Sequence, residues 1–324
     1  MNPRARHWTA FLILAVCTFF SGASFVTYKA SVLAQAPFAA GESTWFISAH
    51  NLAPRFAIGT LLLVVVYGAR VLQLTATEWR QAAFMALASF SGCILQNDGL
   101  QRTTAGTAAF LNQFYVILVP FWMALLQRRR PSVLALVATV LVIAGVGLVA
   151  RLDWTTLRLG RGEAELLLAT VFFSLLLCSI NWPPFAANRA ERTSAAMFVM
   201  EGTLFAVVAV ATVRDPAHLV SPFGSPSWNV IVLVATLLGT AGPFLFINRW
   251  QRFVTPTEAG LLYSFGPVIA ALAETMLPTS IGRWAGLDYV NQPLTAALVM
   301  GGGLILAANI LVQLDEGRAA KAAA

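Results

Sequence analysis

The sequence has little charge. Of its 324 residues only 11% are charged and 58% are hydrophobic, and the mean hydropathy is +0.73. Soluble globular domains carry about 25% charged residues, so this chain lacks the polar side chains to cover its surface in water. The composition excludes a soluble globular protein. It predicts a polytopic membrane protein whose surroundings are a lipid bilayer.

The sequence also lacks clustered metal-binding, redox and nucleotide-binding residues. Its three cysteines and three histidines are scattered through apolar segments or lie at their edges. They show no metal-ligand spacing, and no phosphate-binding loop of the type G-x-x-x-x-G-K-S/T is present. The sequence therefore predicts no metal, no cofactor and no direct drive by ATP. No constellation of catalytic side chains points to an enzyme.

Basic residues outnumber acidic ones, and the formal net charge is +7. In a soluble protein such an excess would suggest a nucleic-acid partner. Here the basic residues lie in short loops between apolar segments, which is the placement that orients membrane helices. The sequence predicts no nucleic-acid binding.

What the chain does have is long apolar segments. A helix needs about 20 mostly apolar residues to cross the hydrocarbon of a bilayer. The predicted spans are 8–28, 49–69, 79–97, 104–126, 132–150, 163–182, 194–213, 228–249, 256–277 and 293–313. Ten spans place both termini on one side, together with most of the 21 lysines and arginines, including Arg128–Arg130. The positive-inside rule then predicts a multi-pass protein of the cell (inner) membrane with cytoplasmic termini.

The segment 96–131 is similar to the segment 247–277. The equivalent pairs, all at one separation, are Asn97/Asn248, Thr104/Thr255, Ala108/Ala259, Leu111/Leu262 and Phe114/Phe265. Two repeats of five spans, an odd number, must enter the membrane from opposite sides. The predicted fold is therefore all-α and integral to the membrane, with ten transmembrane helices as two inverted five-helix repeats. The predicted bounds are 1–151 and 163–315 for the repeats, 152–162 for an outer linker and 316–324 for a cytoplasmic tail.

Several motifs resemble a known family. They are FFSGASFVTYKA in the first span, Arg55-Phe56 in the second, the NDGLQRTTAGTAAFLNQFYVILVPFWMALL stretch, GxGE at 160–163, and TPTEAGLLYSFGPVIAALAE. The sequence resembles the drug/metabolite transporter superfamily, specifically its ten-helix EamA-type members. That resemblance implies an exporter or exchanger of amino acids and other small metabolites. The chain departs from it at Val116, where many members carry a proline, and in two long outer loops, 31–49 and 278–292.

Polar stripes on four predicted spans mark candidate binding residues. At about 100° per residue, small or hydrogen-bonding side chains share one face of the first, fourth, sixth and ninth spans. The candidate substrate-binding residues are Asn112, Tyr115, Tyr263, Asn181 and Tyr28. In lipid such groups turn inward, where they line a cavity or hydrogen-bond between helices. The second interpretation is favoured for Ser21 and Ser174 and also for Gln113, which points away from Tyr115.

Glu201 lies near the middle of the seventh span, where an ionised carboxylate is costly. It is a candidate for proton coupling or for contact with a substrate amine, and a protonated carboxyl bonded to the backbone is the alternative. Lys29, Arg55 and Glu274 lie near predicted span ends, where snorkelling to the interface explains them. Pro183-Pro184 and Pro243 are expected to bend helices.

Together these features predict a secondary transporter that moves a small-molecule substrate by alternating access through a central cavity between the two repeats. The alternatives are a non-transporting membrane scaffold or lipid-handling protein and, less favoured, a membrane enzyme. A homodimer is left open.

Overall fold

The computed structural model describes residues 3–126, 132–150, 159–180, 182–254 and 256–323. In these ranges every regular element is helical. The α-helices are α1 (Pro3–Gln35), α2 (Thr44–Tyr67), α3 (Ala76–Arg102), α4 (Ala105–Asn112), α5 (Tyr115–Leu126), α6 (Val133–Val149), α7 (Arg161–Ile180), α8 (Ala190–Thr212), α9 (Pro226–Ala235), α10 (Ala241–Trp250), α11 (Pro256–Ser264), α12 (Gly266–Met276), α13 (Pro278–Ala285) and α14 (Ala296–Ala323). The predicted Arg128–Arg130 loop and most of the 152–162 linker lie outside the described residues.

Many of these helices are suited to a bilayer. Within the described ranges seven helical segments are long and apolar enough to cross a membrane. They are Arg4–Phe38, Thr44–Tyr67, Arg161–Ile180, Ala190–Thr212, Pro226–Ile247, Glu258–Met276 and Ala296–Asp315. Two shorter apolar segments, Ala105–Val119 and Val133–Val149, join them, while α3 is long but more polar. The expected all-helical, multi-pass membrane class is confirmed.

The fourth and ninth predicted spans are not continuous helices. The chain leaves the α-helix at Gln113 and Phe114, between α4 and α5, and again at Phe265, between α11 and α12. The N–H of Phe114 donates to Leu111 O at 3.1 Å, and the N–H of Phe265 donates to Leu262 O at the same distance. Both breaks are thus tightened three-residue turns at equivalent positions of the two similar segments.

The eighth predicted span is also irregular. Between α9 and α10 the chain forms a π-helical turn, Thr236–Thr240. Pro243 follows this turn and has no N–H to donate to the carbonyl of Gly239. The hydrogen bond that proline removes from a regular helix therefore falls next to the π-helical turn, where the α-helical pattern is already interrupted. Pro183-Pro184, in contrast, lie beyond the end of α7 in a short 3₁₀ turn. The expectation that they bend a helix is wrong.

The two long outer loops expected from the sequence are largely helical. α1 continues to Gln35, because the first breaker is Pro37, and α2 begins at Thr44 with the Ser43 hydroxyl accepting from the N–H of Phe46. Only a short connection is left between them. In the second loop the chain forms α13, which ends at Gly286 with a φ of 69°, a left-handed conformation that favours glycine.

The helices of the two halves pack side by side. α3 packs along α7, α2 along α8 and α6 along α14, while α1 packs against α9, α10 and α12. Small residues permit these approaches: a Cβ placed on Gly99 of α3 would come within 2.6 Å of the carbonyl oxygen of Gly162 in α7. The small-residue-rich third span therefore lies against neighbouring helices, as its composition predicts.

A carboxylate ties the connection between α1 and α2 to the one between α8 and α9. Glu42 accepts hydrogen bonds from the N–H groups of Arg214 and Asp215 and interacts with His218 Nδ1 at 2.9 Å. Burial of the carboxylate opposes ionisation, but these hydrogen bonds outweigh it and hold the pKa of Glu42 below its ordinary value. The ionised form of Glu42 therefore fastens the two connections together.

Candidate substrate cavity

A cavity of about 360 Å³ lies where helices of both halves converge. Its wall is formed by α1, α2, α3, α7, α8, α10, the π-helical turn and the break between α4 and α5. Polar groups occupy part of this wall: Ser21, Ser24, Ser89, Gln96, Asn97 and Thr240. Five phenylalanines occupy much of the rest: Phe25, Phe56, Phe173, Phe198 and Phe244. The cavity can therefore bind a small molecule with both polar and apolar parts.

A second cavity of about 270 Å³ adjoins the first. The two share four lining residues, Ser21, Phe25, Asn112 and Tyr115. The second cavity adds Tyr263 of α11 and residues beside the α11–α12 break. We call the two cavities together the central chamber. Both helix breaks border it, so irregular backbone lies where discontinuous helices of transporters face their substrates.

Four of the five predicted substrate-binding residues line the central chamber. Tyr28, Asn112 and Tyr115 line the first cavity, and Tyr263 lines the second. The Oδ1 of Asn112 is buried without a hydrogen-bond partner among the described residues, whereas the Tyr263 hydroxyl donates to Gln251 Oε1 at 3.3 Å. Asn181 lies outside the described residues. Their role in binding stays a prediction.

Arg55 is a cavity residue that the sequence analysis placed elsewhere. Its side chain is 5% exposed and lines the first cavity, so the snorkelling interpretation is wrong. The guanidinium carbon lies 3.9 Å from the centroid of the Tyr28 ring, and Nη2 donates to Thr240 Oγ1 at 2.8 Å. The sequence signal was misread because α2 begins at Thr44, which puts Arg55 well inside the helix instead of near its start.

The π-helical turn brings backbone up to this arginine site. A Cβ on Gly239 would overlap the hydroxyl groups of Tyr28 and Ser24, so only glycine permits α1 to approach so closely. The same turn points the hydroxyl of Thr240 at Arg55. π-turns inside helices are frequent at functional sites, and this one positions a side-chain acceptor in the chamber wall.

Glu201 does not line the chamber. Its side chain is fully buried in α8, and neither carboxyl oxygen has a hydrogen-bond partner among the described residues. Ser89 and Cys93 of α3, which do line the first cavity, interact electrostatically with this carboxyl. Glu201 is thus separated from the cavity by α3 side chains, and its role in proton coupling stays a prediction.

Lys29 and Glu274 fasten the turn between α3 and α4. Lys29 Nζ donates to the carbonyl oxygens of Leu100, Gln101 and Thr103 at 2.6–3.1 Å. The Glu274 carboxylate accepts from the N–H groups of Ala105 and Gly106, each at 2.7 Å. A cation at a helix C-terminus and an anion at a helix N-terminus both stabilise the helix dipole. Snorkelling is therefore the wrong explanation for both.

Two polar residues connect helices, as the sequence analysis favoured. Asn309 Nδ2 of α14 donates to Gln113 Oε1 at 3.1 Å, and Trp122 Nε1 of α5 donates to Ser174 Oγ at 2.9 Å. Ser21 differs, because it lines both parts of the central chamber. The helical face alone does not separate these two fates, since each polar group only has to avoid lipid.

The fold and the central chamber define an all-helical integral membrane protein with a polar interior cavity between its helices, the architecture of a membrane transporter. Residues 7–151 of the chain match the model of the EamA-like transporter family. This family is part of the drug/metabolite transporter superfamily, in agreement with the resemblance carried by the motifs. A comparison with curated proteins found no match.

A comparison with solved structures finds a similar fold in another protein. One crystal structure superposes on 93% of this chain and 98% of its own chain, with a TM-score of 0.55 and 15% sequence identity. At that identity the similarity shows the fold alone.

Proposed function

We propose that the chain is a secondary transporter, an exporter or exchanger, of small metabolites such as amino acids. It works by alternating access through the central chamber. The observation that carries the proposal is the chamber itself, because it lies between helices of both halves and is lined by Asn112 and Asn97, whose Oδ1 and Nδ2 atoms have no hydrogen-bond partner among the described residues. A scaffold or lipid-handling protein has no need of such unsatisfied polar groups in its interior.

The proposed architecture is ten crossings arranged as two inverted five-helix repeats. Two observations support it. First, α4 and α11 begin at equivalent positions and break at equivalent positions. Second, the helix packing is unchanged when the two halves are exchanged. The contact of α3 with α7 is then equivalent to the contact of α9 and α10 with α1. The pairs α2 with α8 and α6 with α14 are each equivalent to themselves. Since each half has five crossings, this exchange axis lies in the membrane plane.

The proposed orientation follows from the charges. Both termini are cytoplasmic in the cell (inner) membrane, because this arrangement leaves most arginines on the inside. The connections tied by Glu42 then lie on the outer side. A cysteine introduced near either terminus and one introduced beside Glu42 should react oppositely with a membrane-impermeant thiol reagent on intact cells.

Transport is tested in proteoliposomes. Proteoliposomes that contain the purified protein are loaded with unlabelled amino acids or small organic acids. Counterflow is then measured as uptake of the same labelled compound from the outside. Accelerated uptake of at least one compound is expected. The variants Tyr115→Phe and Tyr263→Phe should lower its flux, because each removes a hydroxyl from the chamber wall. An absence of flux across the whole panel argues against a carrier.

Proton coupling through Glu201 is a separate part of the proposal. It rests on a fully buried carboxyl whose oxygens have no hydrogen-bond partner among the described residues. Flux driven by a pH gradient should be lost in Glu201→Gln, while exchange without a gradient should persist. Transport by wild type that ignores the gradient would remove this part of the proposal and leave the carrier assignment intact.

A further inference from the structure

We propose that the substrate carries a carboxylate that binds Arg55 and an apolar body that packs against the phenylalanines of the first cavity. This inference rests on the proposed function and names the substrate class of the same chamber.

Among the described residues that line the two cavities, Arg55 is the one with a charged side chain. A cation removed from water in a membrane interior is costly unless it is paired. The ion pairs found among the described residues involve other arginines and histidines, and no carboxylate lies within 4.0 Å of Arg55. Among the described residues Arg55 is therefore a buried cation without a direct ion-pair partner, beside a space large enough for a ligand.

The contacts of Arg55 orient it for an anion. The ring of Tyr28 covers the guanidinium carbon at 3.9 Å, and Thr240 accepts from Nη2. Nε, in contrast, is buried and donates to no described group. One face of the guanidinium is thus occupied by an aromatic ring and one donor by a hydroxyl, while Nε on its edge has no partner among the described residues. Carboxylates bind along this edge, often through two parallel N–H···O bonds.

The same guanidinium limits the charge of the ligand. Phosphate groups carry close to two charges at neutral pH, whereas a carboxylate carries one. A single arginine neutralises one charge. The described walls of the two cavities contain no second basic side chain, and a doubly charged anion would leave an uncompensated charge in the cavity. We therefore assign a monocarboxylate instead of a phosphate.

The rest of the first cavity specifies the body of the molecule. Five phenylalanines face the space of about 360 Å³, which is the size of a small-molecule site. Apolar surface placed there leaves water, which favours binding. Asn97 Nδ2 and Asn112 Oδ1, which have no partner among the described residues, supply one donor and one acceptor for a further polar substituent. The chamber is suited to an aromatic or branched aliphatic acid, including the corresponding amino acids.

The test uses three probes that share one ring and differ in charge: phenylacetate, phenylacetamide and phenethylamine. Thermal unfolding of the purified full-length protein is followed by intrinsic fluorescence while each probe is titrated. Phenylacetate should stabilise the wild type, and the amide and amine should stabilise it less. In Arg55→Gln the affinity for phenylacetate should fall about tenfold or more, the expected loss of a charge-assisted pair, and the three probes should become alike.

The matched control is Arg70→Gln, since Arg70 is an exposed arginine just beyond α2. Its preference for phenylacetate should equal that of the wild type. Arg55→Lys retains the charge but loses the planar fork, so it should bind phenylacetate more weakly and still prefer it to the amide. If Arg55→Gln does not fold, the probe series on wild type and Arg55→Lys decides the question.

Three results would overturn the inference: equal stabilisation of the wild type by the amide or amine, an unchanged preference in a folded Arg55→Gln protein, or no stabilisation by phenylacetate or L-phenylalanine. Its failure is distinguishable from that of the carrier proposal. Carboxylate binding that depends on Arg55 without any flux would remove transport and retain the site. Flux of amines or neutral compounds that does not depend on Arg55 would retain transport and remove the site.

Discussion

Replacing Glu274 by alanine should destabilise the protein strongly although Glu274 lies outside both cavities. Its carboxylate is 3% exposed and accepts two hydrogen bonds of 2.7 Å from the N-terminus of α4. Alanine leaves two buried N–H groups without an acceptor, and each such group costs about 1–3 kcal/mol. Relief of the cost of burying a charge offsets part of this. We expect a net loss of about 2–4 kcal/mol.

The loss is measured by unfolding the purified protein with SDS in mixed micelles and following helix content. Glu274→Gln should fall between wild type and alanine, because one carbonyl oxygen can accept only part of what the carboxylate accepts. The control is Asp288→Asn, an exposed acid in the same part of the chain, which should unfold like wild type. If Glu274→Ala unfolds at the same SDS fraction as this control, the carboxylate does not hold α4 and the reasoning is wrong.

Three further predictions concern other contacts. Gly239→Val should lower the free energy of unfolding by about 1–3 kcal/mol and abolish flux, because the added atoms overlap α1. The control in the same unfolding assay is Gly303→Ala, which should unfold like wild type because no atom lies within 4 Å of its Cβ position. A double-mutant cycle with Gln113→Leu and Asn309→Leu should give a coupling free energy of about 0.6 kcal/mol, and a value of zero would exclude the hydrogen bond. Because the pKa of Glu42 is lowered in the folded protein, its stabilisation should be fully present above its ordinary value of 4.5 and be lost as pH falls from there through the lowered folded value. A melting difference between wild type and Glu42→Gln that is unchanged by this acidification would contradict the prediction.

The helices were predictable from the sequence because the hydrocarbon of a bilayer requires every span to satisfy its own backbone hydrogen bonds, which a helix does. Apolar segments of sufficient length therefore mark helices. Each predicted span overlaps helical segments over most of its length, although among the described residues seven segments alone are long and apolar enough to cross a membrane by themselves. The breaks after Asn112 and Ser264 were not predicted. Neither contains a strong breaker at the break itself, since Pro267 lies in the first turn of α12, where proline is tolerated. Such breaks depend on packing between helices, which hydropathy does not record.

The site was predictable to a different degree. Tyr28, Asn112, Tyr115 and Tyr263 were found because polar groups on a helical face must turn away from lipid. Arg55 was assigned to the interface because its depth depends on where α2 begins, and that start was placed too late. A charged side chain near a predicted span end either reaches the membrane interface or is buried inside the protein. A shift of about one helical turn in the start of the helix decides between these two positions.

The two buried ionisable residues of α2 and α8, Arg55 and Glu201, have different surroundings, although these helices pack against each other as a pair. Arg55 faces the cavity, and its ring and hydroxyl contacts leave donors free for a ligand. Glu201 does not line the cavity, whereas Ser89 and Cys93 line it and interact with the Glu201 carboxyl. If Glu201 couples protons to transport as proposed, the coupling is expected to pass through α3. Ser89→Ala, which leaves Arg55 and Glu201 in place, should then weaken coupling to a pH gradient more than it weakens binding of phenylacetate, and equal losses would contradict this route.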